Sequence, residues 1–86
     1  MPLGPEIEAM EPIAVNESAP GGACLLETLD DINAFVSARL DPSLRTRPHW
    51  FAVRRDLLQA RRFVARRGAA HQTMRSALAA EGWLAE

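Results

Sequence analysis

Pro48-His49-Trp50-Phe51-Ala52-Val53-Arg54-Arg55-Asp56-Leu57-Leu58-Gln59-Ala60-Arg61-Arg62-Phe63-Val64-Ala65-Arg66-Arg67-Gly68 is the stretch whose reading decides the fold. Within it Trp50, Val53, Leu57, Ala60 and Val64 recur at steps of 3, 4, 3 and 4 residues, the spacing of one helical face. Phe51, Leu58 and Phe63 read as widening that face. Arg54, Arg55, Arg61, Arg62, Arg66 and Arg67 fall mostly off it. Pro48 suits the first turn of a helix, where its missing N–H has no intrahelical partner to lose. Gly68 reads as the break at the far end. The centre of the chain is therefore an amphipathic helix with an apolar inner side and a cationic outer one.

Working outward, Thr28-Leu29-Asp30-Asp31 opens an earlier helix. Thr28 can cap it and the two acids suit its positive end. Leu29, Ile32, Val36 and Leu40, with Phe35 alongside, form its stripe, and Asp41-Pro42 ends it because the residue before proline is driven from the α region. A later helix runs from about residue 70 to 81, with Ala70, Met74, Ala77 and Leu78 inward. Gly82 is its C-cap, and Trp83 and Leu84 fold back on the core. Before all three helices, Ile13 and Val15 alternate in 11–16, Ala19-Pro20-Gly21-Gly22 makes a turn, and 23–26 returns as a strand. The expected class is α+β: a short N-terminal β-hairpin packed on a three-helix core, with 1–11 an acidic arm and 12–86 the domain.

Eighty-six residues suffice for one domain and no inter-domain cleft. The longest unbroken apolar runs, such as Trp50–Val53, are four residues, against roughly 20 for a membrane-spanning helix. One cysteine, Cys24, forms no intramolecular disulfide, which suits a reducing compartment. No secretory pattern opens the chain, so a cytoplasmic location is expected. Cys24, His49 and His71 are 25 and 22 residues apart and lack the close spacing of a metal site. Asp30 and Asp31, adjacent on a helix, point to different sides. No phosphate-binding glycine loop or nucleophile elbow occurs. No metal, cofactor or catalytic activity is expected.

Charge is the informative part of the composition. The net value is −1. Residues 1–31 carry seven acids and no base, whereas 32–86 carry ten arginines against four acids, a balance of +6. Such a split drives association with an acidic protein or nucleic acid, unless the two halves satisfy each other. The expected function is a regulatory or scaffolding module binding a protein through Arg54, Arg55, Arg61 and Arg62. Of the aromatics, Trp50, Phe51, Phe35 and Phe63 are expected in the core. Trp83 is the candidate anchor if the chain forms a homodimer.

Phe63-Val64-Ala65-Arg66-Arg67-Gly68-Ala69-Ala70-His71-Gln72-Thr73-Met74-Arg75-Ser76-Ala77-Leu78 resembles a helix-turn-helix. Gly68 takes the turn, with Thr73-Met74 and Ala77-Leu78 at the pattern's later positions. The likeness implies that His71, Gln72, Arg75 and Ser76 face the major groove, where Gln reads adenine and Arg reads guanine. It also implies that Arg66 and Arg67 lie by phosphates. Arg67 stands where the pattern has an apolar residue, and Val64 where it has Ala. DNA recognition through 71–76 is the alternative function.

A broader resemblance rests on Glu11-Pro12-Ile13-Ala14-Val15, on Thr28 through Val36, on Ala52 through Ala60, and on Arg75-Ser76-Ala77-Leu78. In this order they resemble an uncharacterised family of short alphaproteobacterial proteins. Met74 and Leu78 depart from its closing motif, and Leu40-Asp41-Pro42 stands where it has Trp-Pro. The resemblance implies a hairpin followed by helices and supplies no activity.

Overall fold

The computed structural model describes residues 9–85. Strands β1 (Ala9–Val15) and β2 (Cys24–Thr28) pair antiparallel, with Ile13 opposite Leu26, Ala14 opposite Leu25 and Val15 opposite Cys24. A shift of register between Ala9 and Ile13 marks a bulge. Side chains alternate across the ribbon, so Ile13, Val15 and Leu26 enter the core while Ala14, Leu25 and Glu27 face outward. The hairpin is the one expected from the sequence, but β1 begins earlier and takes in Met10 and Glu11 of the presumed arm. Residues 1–8 of that arm lie outside the described residues.

Helix α1 (Leu29–Ala34) starts with a reciprocal cap. Thr28 Oγ1 accepts from the Asp31 N–H at 3.1 Å, and Asp31 Oδ2 accepts from the Thr28 N–H at 3.1 Å and the Glu27 N–H at 2.8 Å. The helix widens into a π-turn over Phe35–Arg39, with the Leu40 N–H donating to the Phe35 carbonyl at 3.2 Å. Ile32, Phe35, Val36 and Leu40 are buried. A 3₁₀ turn, Pro42–Thr46, then leads to α2 (Pro48–Arg62).

Helix α2 ends six residues before the expected break. Phe63 is extended, at φ −130° and ψ 115°, and a 3₁₀ turn over Val64–Arg66 leads into α3 (Arg67–Glu81). Gly68 therefore sits inside the first turn of α3. Ala60 is the last buried residue of α2 and Ala70 the first of α3, so the chain must reverse between them to bring both stripes to one core. Arg61 and Arg62 in the last turn of α2 favour that end electrostatically. Val64, expected inward, is exposed as a result.

Trp50, wholly buried, is the centre of the core. Its ring stacks on Phe35 at 6.3 Å and packs against Trp83 at 5.9 Å, and Phe35 meets Trp83 edge-on at 6.3 Å. Trp83 is thus partly buried and packed against the core. It arrives there through the Schellman ending of α3: Gly82 at φ 78° donates to Ala79, and the Trp83 N–H donates to Leu78 at 2.8 Å. The chain end is then sewn to β1, with Leu84 bridging Val15 and the Asn16 N–H donating to the Trp83 carbonyl at 2.8 Å. Among the described residues no helix is long and apolar enough to cross a membrane.

Candidate functional site

At about 100° per residue, Phe51 and Leu58 fall within ~20° of each other and roughly 130° from the centre of the Trp50–Val53–Leu57–Ala60 stripe. Their side chains consequently point away from the core. Phe51 is 66% exposed, Leu58 65%, Phe63 58% and Val64 68%, which overturns the expectation that Phe51, Leu58 and Phe63 widen the inner face. Of the four aromatics assigned inward, Trp50 and Phe35 are buried, and Phe51 and Phe63 are not. The angular offset is present in the sequence, because position 51 lies about 100° from Trp50 although it is its neighbour.

The same geometry sorts the arginines. Arg54 and Arg61 flank the Phe51–Leu58 ridge on the side of α1, while Arg55 and Arg62 flank it on the other. Shallow hollows connect the parts: one is bordered by Phe51, Arg54, Arg55 and Leu58, the next by Leu58, Arg62, Phe63 and Arg66. The outer face of α2 is thus a row of large apolar groups set among guanidinium groups. All four arginines assigned to protein binding share this face, and Arg66 from the DNA-binding set adjoins it.

These cations have few partners of their own. Arg55 Nε lies 3.2 Å from Asp56, its neighbour in sequence and a buried acid, and Arg66 Nε donates to Gln59 Oε1 at 2.9 Å. Among the described residues Arg54, Arg61 and Arg62 make no ion pair. Glu11, Glu17, Glu27, Asp30 and Asp31 pair with none of those three.

The residues assigned to DNA recognition are less uniform. Gln72 and Ser76 are exposed on α3. His71 is half-buried and its Nε2 donates to the Glu11 carbonyl at 2.9 Å, tying it to β1. Arg75 is half-buried and engaged within the chain. Arg67 is half-buried, in the first turn of α3. The turn between α2 and α3 occupies Phe63–Arg66, and the glycine assigned to it is helical.

The remaining polar cluster closes the fold. Glu81, in the last turn of α3, is 8% exposed at its side chain and meets the first turn of α2. Arg47 Nη1 donates to its two oxygens at 2.8 and 2.9 Å, His49 Nε2 to Oε2 at 2.9 Å, and Trp50 Nε1 to Oε2 at 2.8 Å. Burial works to raise the Glu81 pKa; the His49, Trp50 and Arg47 interactions outweigh it and hold the carboxyl below its ordinary value. Helix α2 has no acid in its first turn and no side-chain cap, so Glu81 supplies from α3 the negative charge that this positive helix end favours. His49 and His71 bond Glu81 and the Glu11 carbonyl, and among the described residues neither hydrogen-bonds Cys24. Among the described residues no three His, Cys, Asp or Glu side chains are grouped as metal ligands.

Family models, curated proteins and solved structures gave no match to this chain.

Proposed function

We propose that this protein is a non-enzymatic docking module that binds an acidic protein segment across the outer face of α2. The observation that carries the reading is the exposure of Phe51, Leu58 and Phe63 among arginines of which Arg54, Arg61 and Arg62 lack an ion-pair partner among the described residues. Exposed large apolar groups gain by leaving water, and aromatic and Arg side chains are the types most enriched where proteins meet. The partner's surface is acidic by charge complementarity, with apolar side chains to cover the Phe51–Leu58 ridge. Kinship with the alphaproteobacterial family is part of the proposal and adds no activity to it.

The test is capture from the source cells with the wild type and with Arg54→Glu/Arg62→Glu and Leu58→Asp variants, followed by titration of the purified partner. The reading requires one acidic partner, lost with both variants, while thermal unfolding of the variants stays unchanged. Retention of the partner by Leu58→Asp would overturn it.

DNA recognition is the second reading, favoured by the exposure of Gln72 and Ser76 four residues apart on one side of α3. It ranks lower because His71 and Arg75 are already engaged. A gel-shift series at two salt concentrations decides it, since phosphate contacts must weaken as salt rises.

A further inference from the structure

On the α1 side of Leu58 the surface folds inward. Asn33 and Ser37 on one wall face Arg54 and Arg61 on the other, over Leu57, and enclose about 150 Å³. A second recess of about 150 Å³ shares Asn33, Leu57 and Arg61, and is bounded by Arg67 and Asp30. We propose that this groove binds a phosphate monoester.

Size, charge and donor chemistry all bear on the choice. Each recess is smaller than the ~300–1,000 Å³ of sites for drug-sized ligands, so it suits one headgroup. Arg54 and Arg61 are seven residues apart on one side of α2, about 10.5 Å along its axis. Their long side chains can close on a single group from both ends. Each guanidinium offers a planar fork matched to two phosphate oxygens, and the pair balances a dianion. The Asn33 amide and Ser37 hydroxyl supply further donors. No acid lines the first recess, and Asp30 lies only at the second.

Two further features bear on this groove. Its α1 wall includes the π-turn, which carries Val36 and Ser37 to the rim, and such turns are concentrated at functional sites. Beside it, Arg67 Nε is buried and has no hydrogen-bond acceptor among the described residues. Buried donors are rarely left so, and an anion in the adjoining recess is an acceptor of the right charge. The proposal does not depend on protein docking over Phe51 and Leu58, although Leu58 borders the groove and Arg54 flanks both surfaces.

The experiment is an NMR titration of the full chain with three probes: inorganic phosphate, a short phosphoserine peptide, and the same peptide unphosphorylated. Saturable shifts at Asn33, Ser37, Arg54 and Arg61 are expected with the first two and not the third. Equal affinity for phosphate and phosphopeptide identifies a small phosphorylated ligand, and tighter binding of the phosphopeptide identifies a modified protein. Arg54→Gln and Arg61→Gln should each weaken binding about tenfold, the scale of one charge-assisted hydrogen-bonded contact. Arg62→Gln, beyond the ridge, should leave it unchanged. If a glutamine variant unfolds, Arg54→Lys and Arg61→Lys replace it: charge is kept, the fork is lost, and binding should still weaken. Absence of saturation, or an equal loss in Arg62→Gln, would overturn the proposal, since either result leaves only diffuse attraction to positive charge.

Discussion

Replacing Glu81 probes the contact that closes α3 onto α2. Glu81→Ala leaves the Trp50 indole N–H, in a wholly buried residue, with its acceptor removed. An orphaned buried donor costs about 1–3 kcal/mol. Loss of Arg47, whose side chain is 50% exposed, adds about 0–1 kcal/mol as a solvent-screened pair. The expected destabilisation is about 2–3 kcal/mol, against a total of roughly 4–13 kcal/mol for a chain of this length. For a domain of this size each kcal/mol moves Tm by about 4–8 °C, so Tm should fall by ~10–20 °C. Glu81→Gln keeps an oxygen for Trp50 and should lose about half as much.

The same pair of proteins yields a pH signature. Glu81 is more acidic in the folded state than its ordinary 4.5, so its charge stabilises the fold above that value. That contribution declines as pH falls below 4.5 toward the folded pKa. The gap in Tm between wild type and Glu81→Gln should thus be widest near neutrality and narrow under acid. Asp41 is also held below its ordinary value, first by the Ser43 N–H and then by the Ser43 hydroxyl and Arg45. It is present in both proteins and cancels in the comparison. Differential scanning calorimetry from pH 7 to pH 3 makes the measurement. A Glu81→Ala Tm unchanged at pH 7, or a gap that widens under acid, would refute the reasoning.

Three substitutions test the helix ends and the core. Gly68 is helical and an added Cβ would meet nothing within 4 Å, so Gly68→Ala should stabilise the fold by about 0.4–1 kcal/mol in chemical denaturation. A turn glycine at positive φ would make the same change destabilising. Gly82 does carry φ 78°, and Gly82→Ala should cost about 1 kcal/mol or more by urea unfolding. Met74 is wholly buried; Met74→Ala should cost about 2–5 kcal/mol, visible as a lower urea midpoint and faster amide exchange along α3.

The elements legible in the sequence were those with local chemical punctuation. Thr28 with Asp31 capped α1, Gly21-Gly22 turned the hairpin, and Gly82 closed α3 and returned Trp83 to the core. The α2–α3 turn had no such mark. Two alanines, Ala60 and Ala70, bound it, and Gly68 offered a stronger local signal at a place where tertiary packing wanted helix. The π-turn at Phe35–Arg39 was equally silent, because no glycine, proline or side-chain cap in FVSAR marks a change of backbone bonding. As to the site, the arginine face was evident from composition and period. Its apolar ridge was missed because Phe51 and Leu58 were grouped by type when their angle placed them outside. The groove facing Asn33 and Ser37 needed the packing of two helices and could not be read from either alone.

Photo-crosslinking in the source cells measures directly what contacts the outer face of α2. A photoreactive residue at position 58 is compared with one at Ala79, exposed on α3. The prediction is a discrete adduct from position 58 to an acidic segment of one protein, abolished by Arg54→Glu/Arg62→Glu, and none from position 79. Equal yields from both positions, or an adduct at 58 to nucleic acid alone, would contradict it.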